Sequence, residues 1–466
     1  MNISEAKNSN SIIFKMSVPI FIELLLQMLV GNIDQIMIGH FNEIYVGSIG
    51  NANLIMNLVI IVLSVMSVST TVLISRYLGS KNFGKISEVF NTSIVMLFVI
   101  STLITVSIFA FAAPVFQWMQ VPDIIFFETK TYLFITGTFT IVQGFYMTYA
   151  AALRSYGFMK NVMFAAVFMN IINILGNLVL INGFLFIPAL GVTGAAISTV
   201  ISRMTGLILM VCLLNKKTDI KISAKYLRPF PKKTMKDLLH IGIPSGAEEL
   251  SYNLSQTVIM KFVNFFGTTV ITTKVYCSIL ANFAYIYSVA ISQASQIVVS
   301  YLIGSNNLKL ANKRVWSTLV VSMVISLSIT LLLYIFSDNI FGIFTKNPEI
   351  LALGKKIIFV EFFLEIGRSI NIVMVRCLIA VEDVKFPAYM CVFSAWTFGV
   401  GFGYLFGITL GMGLVGIWIG MAMDECIRGL ILILRFKTLG WTKKVRRKRR
   451  EEILSQIKTG GSFEVL

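Results

Sequence analysis

Eight acids lie inside long apolar stretches of this chain: Glu23, Asp34, Glu248, Glu249, Glu361, Glu365, Asp424 and Glu425. An ionised carboxylate at mid-bilayer costs roughly 3 kcal/mol or more, so each needs a partner or a task. Asp34 has only Val30, Gly31, Met37 and Ile38 at helical spacings of three and four. Its partners must therefore come from other segments. Asn173 and Asn177 are spaced i, i+4 on one helical face, and Thr199 adds a hydroxyl. A carboxylate among neutral amide and hydroxyl oxygens suits a small hard cation such as Na⁺, and the same carboxylate can take a proton instead. The same amides and hydroxyl could also simply bond between helices.

Glu361 and Glu365 also share a helical face, with Arg368 three residues further on. Two carboxylates so close favour exchange of a proton or attraction of a cation. A structural Glu365 to Arg368 pair is the alternative. Asp424 and Glu425 have Arg428 four and three residues on, within reach for neutralisation along one helix. Glu23 and Glu248 each follow a proline by four residues, in the early turns of their helices, where an acid complements the helix dipole. His40 and His240 stand apart, with no HxxxH spacing and no cysteine neighbour, so no metal site is expected. Neither HExxH nor GxSxG occurs, and no enzyme is expected. Most of the 37 Phe, 15 Tyr and 22 Met must face lipid or core, and a few could supply soft or cation-π contacts in a cavity.

These acids are carried by a chain that cannot be soluble. Of 466 residues, 56% are apolar and only 13% charged, about half the charge of an ordinary soluble domain. At about 20 apolar residues per span, the composition supports on the order of a dozen helices. Apolar runs give twelve, at 12–38, 47–75, 90–115, 130–153, 161–187, 189–214, 238–264, 268–302, 315–342, 351–380, 386–410 and 412–437. The net charge of +17 is concentrated between Lys216 and Lys236 and from Lys443 to Arg450, beside apolar runs. That is the positive-inside pattern, not a nucleic-acid surface. It predicts cytoplasmic N- and C-termini in a multi-pass protein of the plasma (inner) membrane, although Lys346, Lys355 and Lys356 fall on the opposite side. The five cysteines show no CxxC spacing and read as core thiols, and the first apolar run is too long for a removed signal peptide.

Shifted by 225 positions, the halves align. Pro19 and Glu23 meet Pro244 and Glu248, and Leu78-Gly79-Ser80-Lys81-Asn82 meets Ile303-Gly304-Ser305-Asn306-Asn307. Six spans per half force both copies to insert with the same orientation. The expected architecture is all-α, with twelve transmembrane helices in two parallel-repeat six-helix lobes facing each other. Residues 1–214 form an N-lobe, 215–237 a cytoplasmic basic linker, 238–437 a C-lobe and 438–466 a basic tail.

Several segments carry a resemblance: Gly31-Asn32-Ile33-Asp34-Gln35, Leu153-Arg154-Ser155-Tyr156-Gly157, Gly191-Val192-Thr193-Gly194-Ala195-Ala196, Gly242-Ile243-Pro244-Ser245-Gly246, and Glu365-Ile366-Gly367-Arg368 followed by Asn371. In order and spacing they resemble the multidrug and toxic compound extrusion (MATE) family over nearly the whole chain. The resemblance implies a cation-coupled (Na⁺ or H⁺) antiporter that exports organic, often cationic, compounds by alternating access, without covalent chemistry or a resident cofactor. It places Asp34, Asn173, Asn177 and Thr199 at the cation-binding positions. Glu248, Glu361, Glu365, Arg368 and Glu23 are the candidates for substrate or coupling. The expected partners are a small organic molecule and the lipid bilayer, with no nucleic acid and a monomeric state. The chain departs from the family pattern at Asn177, where a second acid is usual, at Phe158 after Gly157, and at Ile379 and Glu382. A lipid-linked oligosaccharide or lipid flippase of the same superfamily is the alternative, for which only Arg203, Arg368 and Arg376 could line a cavity.

Overall fold

The computed structural model describes residues 10–184, 188–438, 440–447 and 450, and its regular elements there are helices. The first repeat comprises α1 (Asn10–Phe41), α2 (Val46–Gly79), α3 (Phe83–Trp118), α4 (Asp123–Thr138), α5 (Thr140–Ser155), α6 (Met159–Asn182) and α7 (Gly191–Lys217). The second comprises α8 (Lys232–Asn264), α9 (Thr268–Gly304), α10 (Leu308–Ile335), α11 (Ser337–Phe344), α12 (Pro348–Ala380), α13 (Lys385–Ser394) and α14 (Gly413–Lys437). Wide π-helical turns at Ala395–Phe402 and Leu405–Thr409 prolong α13. α14 packs backbone to backbone against this stretch, since a Cβ on Gly420 would lie 2.5 Å from the Gly403 nitrogen.

The fourth span corrects the sequence expectation. A single helix over 130–153 is instead two helices, α4 and α5, broken at Phe139. The Gly137 carbonyl freed near the break accepts from Thr105 Oγ1 at 3.0 Å, and that hydroxyl also bonds Thr140 Oγ1 at 3.0 Å. A hydroxyl from α3 thus satisfies a backbone group that lipid could not.

Among the described residues, eight helices are long and apolar enough to cross a membrane unaided. α12 and α14 are not among them because they carry Glu361, Glu365, Arg368, Asp424, Glu425 and Arg428. Large side chains such as Leu103 and Phe164 stand more than 60% exposed on the helix flanks, as a lipid-facing surface requires.

Local geometry repeats with the sequence. Lys81 (φ 57°) and Asn306 (φ 59°) both turn left-handed, as do Gly157 (φ 87°) and Glu382 (φ 61°), each pair 225 positions apart. Asn82 and Asn307 then cap α3 and α10. At the same offset, Thr70 bonds Ser93 at 2.8 Å and Ser295 bonds Thr318 at 3.0 Å. The chain divides into two compact units, the first ending at Leu250 and the second beginning at Ser251, so the first half of α8 belongs with the first unit.

Candidate functional site

In the first unit α1, α6 and α7 bring Asp34, Asn173, Asn177 and Thr199 together, all of them buried. Asn177 Nδ2 donates to Asp34 Oδ1 at 2.5 Å. The Thr199 hydroxyl donates back to the Ala195 carbonyl at 2.9 Å, which leaves its oxygen 3.4 Å from Asp34 Oδ2 and 3.4 Å from the amide nitrogen of Asn173. The side-chain oxygens of Asn173 and Asn177 are buried without a hydrogen-bond partner. The cluster therefore holds one carboxylate and three neutral oxygens, two of them without partners.

Two further residues belong to this cluster. Tyr132 of α4, 2% exposed, joins through Thr199. Arg203, one turn beyond Thr199 on α7, acts on Asp34 through its charge without a direct ion pair among the described residues. The repeat offset carries Thr199 to Asp424 and Arg203 to Arg428, so each copy sets an arginine one turn beyond a site residue. That correspondence was available in the sequence as a signal for Arg203; Tyr132 had none.

Glu23 also lies in this unit. Arg154 at the end of α5 meets it at 2.5 Å, and Glu23 is 1% exposed. Glu248 sits half-buried on the part of α8 that belongs to the first unit.

In the second unit the acids are gathered around two arginines. Arg368 Nη1 contacts Glu361 at 2.7 Å and Glu365 at 3.1 Å. Trp418 Nε1 donates to the other Glu361 oxygen at 2.6 Å, and Ser369 donates to Glu365 at 3.3 Å. Arg428, 1% exposed, contacts Glu425 at 2.9 Å and Asp424 at 3.4 Å and stands 5.6 Å over the Tyr252 ring. Asn371 donates to Glu425 at 2.8 Å and Ser394 to Asp424 at 2.5 Å. Each arginine thus holds two carboxylates, and each trio carries net charge of about −1 if all are ionised. A cavity of about 240 Å³ opens beside both trios, bounded by Tyr252, Lys274, Arg368, Trp418, Asp424 and Glu425 among others. Tyr252, Lys274 and Trp418 were not singled out from sequence, because their distance from the acids along the chain conceals the contact.

Duplicated apolar helices that bury mutually compensated charges beside a cavity define a polytopic membrane protein of the transporter class. The MatE family profile matches residues 19–179 and again 244–405, the second match beginning 225 positions after the first, and the chain belongs to this MATE family of transporters. It is 39% identical over 432 residues to "Uncharacterized transporter YisQ" of Bacillus subtilis (strain 168), covering 93% of this chain and 95% of that protein. It is 23% identical over 436 residues to "Probable multidrug resistance protein NorM" of Thermotoga maritima, covering 93% of each. Its fold is similar to a crystal structure of MATE in the bent conformation, with TM-score 0.87, 17% identity, and coverage of 95% of this chain and 99% of the other.

Proposed function

We propose that this transporter is a Na⁺- or H⁺-coupled antiporter that exports organic compounds from the cytoplasm by alternating access, in the plasma (inner) membrane, with both termini and the 215–237 linker cytoplasmic. The observation that carries the reading is the buried polar cluster at Asp34. A buried carboxylate accepts from Asn177 Nδ2 and lies 3.4 Å from the Thr199 hydroxyl, and the side-chain oxygens of Asn173 and Asn177 in the same cluster lack partners. A cation entering there would supply positive charge to the carboxylate and a partner to the unsatisfied amide oxygens. A proton on Asp34 would instead remove the charge itself.

Arg203 supports the exchange. With Asp34 empty, its field offsets the carboxylate; with Asp34 loaded, the arginine loses that counter-charge. The site thus has two electrostatic states, and a conformational equilibrium biased differently by each couples cation entry to substrate exit. The names of relatives such as the multidrug resistance protein NorM of Thermotoga maritima support an organic substrate.

The test is efflux from inverted vesicles with Na⁺ and pH gradients imposed independently. Uptake driven by either gradient supports the reading, and uptake indifferent to both refutes coupling. Protease added to intact cells is expected to spare the 215–237 linker; cleavage from outside refutes the orientation.

A further inference from the structure

The last turns of α14 carry an apolar flank that ends in a base. Leu430 and Leu434 are 58% and 54% exposed, and Lys437 is exposed on the same helical face. Just beyond it the chain forms a short basic helix over 440–447. That helix is docked against the second unit. Trp441 and Val445, one turn apart, are both buried. The Trp441 ring stacks on Phe436 at 5.3 Å, and Phe436 meets Trp316 of α10 at 6.1 Å. Lys444 Nζ donates to the Glu382 carbonyl at 2.9 Å, and Asp383 beside it pairs with Arg435 at 2.9 Å.

These contacts hold the inner side of the helix and leave its other bases outside. Lys443 and Arg446 are exposed, as is Lys313 at the start of α10. Lys437 Nζ stands 5.8 Å from the centre of the Trp316 ring, which places the bases of α10 and α14 at one end of the unit. The segments 308–316, 381–386 and 435–447 contain two acids, Glu382 and Asp383, and both are buried. The exposed charge of this end is therefore positive.

We propose that this end of the second unit is a binding surface for an anionic phospholipid, with acyl chains along Leu430 and Leu434 and the headgroup at the basic rim of Lys437, Lys443 and Arg446. The proposal goes beyond the transport reading and does not depend on ion coupling. Setting the orientation of a span requires only that bases lie in the flanking loops. Here they stand on a packed helix directly beyond a lipid-facing flank, so one ligand with an apolar tail and a negative head meets both. Basic segments beside a span attract anionic lipid in this way. A soluble polyanion would leave the leucine flank uncovered, and a zwitterionic lipid carries its own counter-charge.

The test is calorimetric titration of the purified full-length protein, in an uncharged detergent, with dihexanoyl phosphatidylglycerol, dihexanoyl phosphatidylcholine and glycerol phosphate. The first two share their chains, and the third is a headgroup without chains. The expected result is that phosphatidylglycerol binds more tightly than either of the others. The triple change Lys437→Gln, Lys443→Gln, Arg446→Gln is expected to weaken it by about tenfold or more, and salt at about 0.5 M is expected to do the same. Lys225→Gln, Lys232→Gln, Lys233→Gln removes as much charge from exposed sites of the 215–237 linker and is expected to leave the affinity unchanged. The melting temperature of each variant confirms that it is folded. Phosphatidylcholine or glycerol phosphate binding as tightly as phosphatidylglycerol overturns the proposal, as does an equal loss in the two triple variants, which would reduce the effect to net charge.

Discussion

Gly367 on α12 faces the backbone of α14 so closely that a Cβ would lie 2.4 Å from the Cys426 nitrogen and 2.5 Å from the Glu425 carbonyl carbon. Backbone atoms cannot rotate away as a side-chain tip can. Ordinary contact begins near 3.4 Å, so Gly367→Ala must separate the two helices by about 1 Å. The Asn371 to Glu425 bond, 2.8 Å long, crosses the same interface; lengthened by that amount it exceeds hydrogen-bond range. Overpacking costs about 1–3 kcal/mol, and the loss of a bond to a buried carboxylate costs about 1.5–3 kcal/mol more. We therefore expect a destabilisation of about 3–5 kcal/mol, or a melting temperature lower by on the order of 10 °C. Size-exclusion chromatography of heated, detergent-solubilised protein reads this directly. Gly342→Ala, where nothing lies within 4 Å, serves as the control and is expected to melt with wild type. If Gly367→Ala melts alongside it, the close crossing and the reasoning from it are wrong.

Arg428→Met strands Asp424 and Glu425 in the interior and is expected to cost about 3–5 kcal/mol. The triple change Arg428→Met, Asp424→Asn, Glu425→Gln is expected to recover most of the folded yield, and equal yields from the single and triple variants would contradict it. Glu382→Gly relieves a left-handed residue at φ 61° and is expected to raise the melting temperature, by about 1 kcal/mol in stability; a lower value would show that its side-chain interactions outweigh the strain. Asn177→Ala removes a neutral oxygen and a donor to Asp34, so the concentration of coupling cation giving half-maximal transport is expected to rise more than the maximal rate falls. An unchanged cation dependence would make Asn177 an interhelical bond only.

What could be read from the sequence followed from periodicity. Asn173 and Asn177 share a helical face at i, i+4, which brought them to one acid, and Arg428 lies within a turn of Asp424 and Glu425. Contacts that depend on how helices cross were hidden. Glu23 has no base within its own helix, and its partner Arg154 is 131 residues away at the end of α5. Trp418 reaches Glu361 across 57 positions, and nothing in the spacing of either marks the other. The break at Phe139 escaped for a related reason: hydropathy runs through it, and the group that makes it tolerable, Thr105, comes from α3. The repeat offset was the one long-range signal, and it carries the turns at Gly157 and Glu382 as well as the prolines that reveal it.

The central claim is that a cation or proton on Asp34 opposes substrate binding. Its most direct test is the affinity of purified protein for a fluorescent organic cation such as ethidium, with and without saturating Na⁺ at fixed pH and then across pH without Na⁺, in wild type and in Asp34→Asn. By linkage, loading the site weakens the dye in wild type, with Na⁺ or with acid according to the coupling ion. In Asp34→Asn the dye affinity is expected to be insensitive to both. Wild type that ignores both ions, or an Asp34→Asn variant that keeps the wild-type response, would contradict the account.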